Sequence, residues 1–381
     1  MESEPAKDLK AGVSRNETEN GHVEAETEDV GGGDIVEPFD PKNIRIETKA
    51  MTVDLLISRI REDAIDLAPA FQRKAGLWKD QAQSRLVESF LIRIPIPAFY
   101  MDATDDDRWE VVDGLQRLTA LKRFVLEQAL TLRDLEFLRS FEGKTFNDLP
   151  RSMQRRILET TVTVFLIQPG TPDEVKFNIF RRINTGGLPL SPQEIRHALN
   201  QGPAADLLLR LATTPEFLKA TDGGIRDDRM TDRECALRFL AFTSTPYTNY
   251  KSQDLDGFLN AQMRSLNKIG DLGPLEARFL RAMNAARRVF GNDAFRKRNS
   301  ATEARKPINK ALFETWSVNL DQLDDAEIAT LVDRKDSLGE GFMALMRDGE
   351  FDRAVTQGTG DVNKVRVRFE RVAALIRRIL T

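Results

Sequence analysis

Apolar positions along the chain keep two spacings, and the change from one to the other divides it. Up to about residue 200, short β-branched or aromatic runs alternate with helically spaced segments; beyond that point helical spacing dominates. Thr52 to Ile60 places Val53, Leu56, Ile57 and Ile60 on one helical side, and Asp80 to Ile92 does the same with Leu86, Phe90 and Leu91 before Pro95 and Pro97. Ala98 to Met101 and Thr161 to Ile167 read as strands. The central stretch, Trp109 to Phe124, reads as strand, tight turn and helix: Trp109, Val111 and Val112 favour a strand, Gly114 can turn where a side chain would clash, and Leu118, Leu121 and Val125 recur at helical spacing. Residues 131–149 are mixed. Thr171-Pro-Asp-Glu174 and Ser191-Pro-Gln-Glu194 each combine a capping hydroxyl, a proline at the first helical position and a glutamate three residues after the cap, so each predicts a helix start. Further on, helices are expected over 206–211, 235–242, 275–290, 310–320, 326–331 and 362–380. The pattern therefore predicts an α+β chain, with a small mixed-sheet domain over 44–200 and a mainly α-helical domain over 201–381.

Composition adds bounds. With 381 residues and 41% hydrophobic content, the chain can bury a sizeable core. No apolar run approaches the roughly 18 residues of a membrane span, and the first residues are acidic rather than basic and apolar, so a cytoplasmic protein without a membrane partner is expected. The lone Cys235 excludes an internal disulfide and falls on a helical stretch as a buried small hydrophobe. Histidine occurs only as His22 and His197, which leaves zinc sites and histidine-centred metallonucleases without ligands.

Charge is uneven. Residues 1–40 carry twelve Asp/Glu against three Lys/Arg, a net of −9 out of −4 for the whole chain, so the remainder carries +5. Residues 1–43 read as a disordered acidic tail, solvating or else masking a basic groove. The most basic helical parts are Phe295-Arg-Lys-Arg298 with Arg305-Lys306, and the last helix with Lys364, Arg366, Arg368, Arg371, Arg377 and Arg378. Such faces either follow a DNA backbone or are solvated surface.

Three stretches carry candidate chemistry. The helix start after Gly114 offers backbone N–H groups to a phosphate, with Arg117 as the steadying cation and Asp113 placed to hold a metal ion or orient a water. The plain alternative is that Asp113 caps the helix and pairs with Arg117. The segment Pro69 to Trp78 bears Gln72, Arg73 and Trp78, facing a ligand or stapling a loop. Phe180-Arg-Arg-Ile-Asn-Thr-Gly-Gly187 offers Arg181, Arg182 and Asn184 as a second anion site, or is a glycine-terminated helix end.

Taken together and in order, Gln72-Arg73, Trp78, Ile94-Pro-Ile-Pro97, Val112-Asp-Gly-Leu-Gln-Arg-Leu-Thr119, Phe180 to Gly187, Leu190-Ser-Pro-Gln-Glu-Ile-Arg196 and Arg229-Met-Thr-Asp-Arg233 resemble the domain-of-unknown-function 262 family, the N-terminal module of GmrSD-type restriction enzymes. That family is grouped with ParB/sulfiredoxin-like folds, whose Gly-x-x-Arg-x-x-Ala phosphate element is similar to Gly114-Leu-Gln-Arg117-Leu-Thr-Ala120. The resemblance implies an NTP-binding and NTP-hydrolysing regulatory protein of anti-phage systems, using NTP with Mg²⁺. Its implied site has Asp113 and Gln116 as catalytic residues, Asp113 as metal ligand, and Gln72, Arg73, Gly114, Arg117, Thr119, Arg181, Arg182 and Asn184 around the nucleotide. At position 115 the family box has an amide and this chain has Leu115. Leucine cannot position a water, so hydrolysis is less secure than binding. The chain also lacks the histidines of the nuclease domain that long relatives append, so cutting is left to a separate effector nuclease. The other reading is a non-hydrolysing, nucleotide-gated module that binds DNA or a partner.

Overall fold

A computed structural model of the chain describes residues 25–26, 44–67, 78–183, 190–225, 229–251 and 254–381. Its first half is built on a five-stranded sheet ordered β1-β5-β3-β4-β2: β1 is Ile46–Thr52, β2 Ile65–Asp66, β3 Phe99–Asp102, β4 Trp109–Asp113 and β5 Thr161–Ile167. β1 runs antiparallel to β5 and β3 antiparallel to β4, while β3 with β5 and β2 with β4 are parallel, which makes the sheet mixed.

Both faces are covered, and strand alternation decides what each receives. Phe99, Met101, Trp109, Val111, Val162, Val164 and Leu166 pack under α1 (Val53–Arg61), α2 (Asp80–Leu91), α3 (Leu115–Leu121) and α4 (Arg151–Leu158). Val112 and Ile167 turn to the other face and meet Phe177 and Phe180 of α5 (Asp173–Ile183) and Ile195 of α6 (Pro192–Leu199). Each such side chain, fully buried, contributes about 1.5–3 kcal/mol. Thr52 caps α1 through the Leu55 N–H, and Ser191 with Glu194 forms the capping box that its spacing predicts. The mixed stretch after α3 has little regular structure, so its backbone needs other partners. Ser84 accepts the Arg133 N–H and Glu88 accepts those of Glu136, Phe137 and Leu138. Burial alone would raise the Glu88 carboxyl, but these N–H donors hold it below the usual range.

The second half is helical: α7 (Pro203–Ala212), α8 (Pro215–Thr221), α9 (Thr231–Ser244), α10 (Leu255–Leu266), α11 (Gly273–Phe290), α12 (Lys310–Asp321), α13 (Asp325–Asp333), α14 (Lys335–Arg347), α15 (Gly349–Thr356) and α16 (Val362–Leu380). All the expected helices are present. The apolar pattern does not predict α8, α10, α14 and α15, because Gly257, Gly339 and Gly341 weaken the helical pattern of α10 and α14 and the other two are short. At Gly341 a Cβ would run into Leu375, so this glycine lets α14 approach α16 closely.

α9 and α12 are buried nearly all round, and they meet through charge as well as apolar contact. Glu234 pairs with Arg238 at 2.7 Å and with Lys310 at 3.0 Å; Arg238 reaches Glu314 at 3.3 Å, and Arg368 of α16 binds the same carboxylate. Burial would raise the Glu234 carboxyl, yet Lys310, Arg238 and Arg196 hold it well below the usual range. This corrects part of the expected basic surface. Arg368 is fully buried, and Arg296 is 3% exposed and donates to the carbonyls of Asn292, Lys306 and Thr221. Arg298, Arg305, Lys306 and Arg371 lie in ion pairs with Asp293, Asp222, Glu303 and Glu350. Cys235 is buried, as expected.

Of the acidic first segment, Ala25 and Glu26 are described; the remainder of 1–43 lies outside the described residues. Ala25 pairs with Ile308 in a parallel bridge, the Glu26 N–H donates to the Ile308 carbonyl at 2.7 Å, and the Glu26 carboxylate meets Lys297 Nζ and Asn309 Nδ2, each at 2.7 Å. Among the described residues no helix is long and apolar enough to cross a membrane.

Candidate functional site

The turn after β4 forms because Gly114 takes φ 103°, a left-handed value that a side chain would resist, and α3 starts directly on it. A Cβ there would fall on the Phe99 ring. No side chain caps α3. Asp113, at the strand end, therefore does not act as the helix cap. Its carboxylate accepts from Arg117 Nη2 at 2.7 Å and from the Gly114 N–H. The second half of the plain alternative, an Asp113–Arg117 pair, is what the structure contains.

Arg117 is 8% exposed. Besides Asp113, its guanidinium donates to the carbonyls of Pro97 and Ala98 and lies over the Phe99 ring, 4.6 Å from the centroid. One side chain thus ties the Ile94–Pro97 turn, the end of β4 and the first turn of α3 together. Burial lowers the Arg117 pKa and raises that of Asp113, the second shift being partly offset by the arginine itself. The Asp113 side chain remains 28% exposed, so a carboxylate on a rigid support faces solvent.

Gln116 accepts the Trp78 N–H through Oε1 at 3.0 Å, which links the turn to the end of the Pro69–Trp78 segment. Thr119 stands one turn into α3, half buried. Leu115 is 9% exposed and belongs to the core beneath the turn. Gln72, Arg73 and Asn184 lie outside the described residues. Arg181 and Arg182 are exposed on α5, which covers the opposite face of the sheet, and Arg181 comes within 3.9 Å of Asp256 on α10. Asp113, Gly114, Gln116, Arg117 and Thr119 are thus brought together; Arg181 is turned toward the helical half.

Two polar groups escape a sequence reading. Asp66, Glu110 and Asp102 stand side by side across β2, β4 and β3, with Lys176 of α5 bonded to Asp102 at 2.9 Å. Burial, Asp102 and Asp66 together raise the Glu110 carboxyl. The other group is the network from Arg196 through Glu234 and Glu314 to Arg368. Its partners are far apart in the chain, 54 residues for Arg368 and Glu314, so no local spacing signals it. Among the described residues no three His, Cys, Asp or Glu side chains could hold a metal ion. Asp113 alone could serve a hard cation only jointly with oxygens brought by a ligand, the usual way Mg²⁺ is held beside phosphates.

No curated protein matches the chain. A family model does: residues 54–200, from α1 to the end of α6, match the GmrSD restriction endonuclease N-terminal domain, so this segment is similar to that domain.

Proposed function

We propose that the chain is a nucleotide-binding regulatory component of a restriction or anti-phage system, taking an NTP with Mg²⁺ at the turn after β4. The observation that carries this reading is the Asp113 carboxylate, held by a buried arginine, beside a left-handed glycine and an uncapped helix start. In this arrangement Arg117 is a positioning residue: it fixes Asp113 and the Pro97–Ala98 backbone, and the α3 N–H groups receive phosphate oxygens. Bound Mg²⁺ would supply charge neutralisation between Asp113 and the phosphates. Gln116 and Thr119 lie along the same helix start, and cleavage of DNA falls to a separate nuclease.

Burial of Leu115 favours nucleotide gating over turnover, because the position that carries an amide in the family box points into the core and not toward a water. The internal pairing of Arg298, Arg305, Lys306, Arg368 and Arg371 favours a protein partner over DNA. Thermal unfolding with each NTP, with and without Mg²⁺, tests the proposal: one NTP should raise the midpoint only with Mg²⁺, and Asp113→Asn should remove the Mg²⁺-dependent part in chains still folded at the start of the scan. If no NTP shifts the wild-type midpoint, the reading is wrong; phosphate release then separates gating from hydrolysis.

A further inference from the structure

The joint between α6 and α9 gathers buried nitrogens that have no hydrogen-bond partner. Gln193, Arg196 and His197 are 0%, 0% and 5% exposed, and their spacing sets them on one side of α6. Arg233, 7% exposed, stands in the first turn of α9, which packs on α6. Left without a hydrogen-bond partner are Gln193 Nε2, Arg196 Nη2, both ring nitrogens of His197 and Arg233 Nε.

Charge distinguishes these residues. Arg196 is compensated, with Nη1 on Asp256 at 2.7 Å, Nε on Gln193 Oε1 at 2.8 Å and Nη2 4.0 Å from Glu234. Glu194 is committed to the Ser191 N–H and to Arg229. Arg233 differs: among the described residues no carboxylate forms an ion pair with it, and Nη1 approaches only the Met230 sulfur, at 3.6 Å. Its neighbour Asp232 spends Oδ1 on the Arg233 backbone N–H. A buried cation without an anion is strongly unfavourable, whereas buried water could satisfy a neutral donor but not a charge. The start of α9 adds the positive end of a 14-residue helix with no side-chain cap, entered through Met230 at φ 55°.

We propose that this joint binds a compact phosphate-like oxyanion, with Arg233 as its counter-charge and Gln193, Arg196 and His197 as its hydrogen-bond partners. His197, held neutral by burial and by Arg233 with a pKa lowered to about 4, offers one donor and one acceptor and so suits a partly protonated oxyanion. The depth of the four side chains excludes a duplex backbone, so the ligand in this proposal is inorganic phosphate or the terminal phosphate of a nucleotide. The site lies across the sheet from Asp113 and does not depend on the nucleotide reading of that turn. It joins the last helix of the family domain to the helical half, so an anion there would brace the two.

The test is thermal unfolding of the full chain in buffer free of phosphate and Mg²⁺, with inorganic phosphate or ATP added at constant ionic strength, together with ³¹P line broadening. Millimolar phosphate should raise the wild-type midpoint by a few degrees. Arg233→Met, an apolar residue of similar length, should be at least as stable as wild type without phosphate and show no rise with it; a merely structural Arg233 would give a less stable variant. Should that variant fail to fold, Gln193→Leu should weaken the phosphate response several-fold. Asp113→Asn should keep the response to inorganic phosphate. A larger rise with ATP, lost in Arg233→Met, would identify a nucleotide's terminal phosphate as the ligand, and a rise with phosphate alone would identify the free anion. The proposal is overturned by no phosphate or ATP effect in wild type, by a rise that survives Arg233→Met, or by a phosphate rise that Asp113→Asn abolishes.

Discussion

Arg117 spends its guanidinium on Asp113 and on the carbonyls of Pro97 and Ala98, so its removal would leave a carboxylate and two carbonyls in a partly dry site without a donor. Arg117→Met should therefore lower stability by about 3 kcal/mol, read by chemical denaturation, and Arg117→Lys should recover only part, because one ammonium cannot span three acceptors. An unchanged denaturation midpoint would show that the clamp contributes nothing. Asp113→Asn also removes the charge opposite a buried arginine, so nucleotide assays on it need a temperature well below its own midpoint. His197 gives a pH signature. Its folded pKa of about 4 lies below the ordinary 6.5, under the influence of burial and Arg233, with Asp206 opposing. Between those values the unfolded chain binds more protons, so stability is full above pH 6.5 and is lost as pH falls toward 4. By pH 5 the loss attributable to this residue should be about 2 kcal/mol. In phosphate-free buffer, His197→Gln should flatten that part of the stability–pH curve; a curve identical to wild type would remove His197 as its source.

At the scale of elements, the β4–Gly114–α3 connection depends on a backbone that only glycine adopts cheaply. Gly114→Ala meets two penalties, the left-handed conformation and the Phe99 ring, and should cost about 2–4 kcal/mol. Gly143 is the matched control: its φ is 75°, but nothing lies within 4 Å of a Cβ built there. Gly143→Ala should cost about 1 kcal/mol, and equal losses at the two positions would mean that the contact with Phe99 is unimportant. Spacing made the strand, the turn and the helix legible here. It did not show that Leu115 turns into the core, or that Arg117 turns back under the strand, since each depends on where Phe99 and Pro97 lie, some 20 residues earlier.

At the scale of the molecule, the first segment and the helical half are joined at Glu26. Lys297 is only 9% exposed at its side chain, and Glu26 is its partner at 2.7 Å. Deleting residues 1–40 removes this pair and the Asn309 bond without touching the sheet core. The unfolding free energy should fall by about 1 kcal/mol, and Glu26→Gln should reproduce most of that loss in the full chain. A deletion that leaves the midpoint where it was would show that the Glu26 contacts add nothing.

Apolar period, proline, capping residues and glycine are local quantities, and they determined what local interactions determine: strands β3, β4 and β5, the capping box at Ser191, the six expected helices of the second half, and a mixed-sheet domain followed by a helical one. The family signature in residues 54–200 was legible for the same reason, being a series of short motifs in order. Tertiary structure decided where the charged side chains went. Arginines are alike in sequence whether they face solvent, a phosphate or a buried carboxylate. What separates Arg117, Arg233 and Arg368 is which distant segment lies opposite: the Pro97–Ala98 carbonyls for the first, Glu314 for the last, and no described carboxylate for Arg233. Burial then fixes the outcome, because in a medium of low polarizability each charge must find its counter-charge within a few ångströms or keep a place for one.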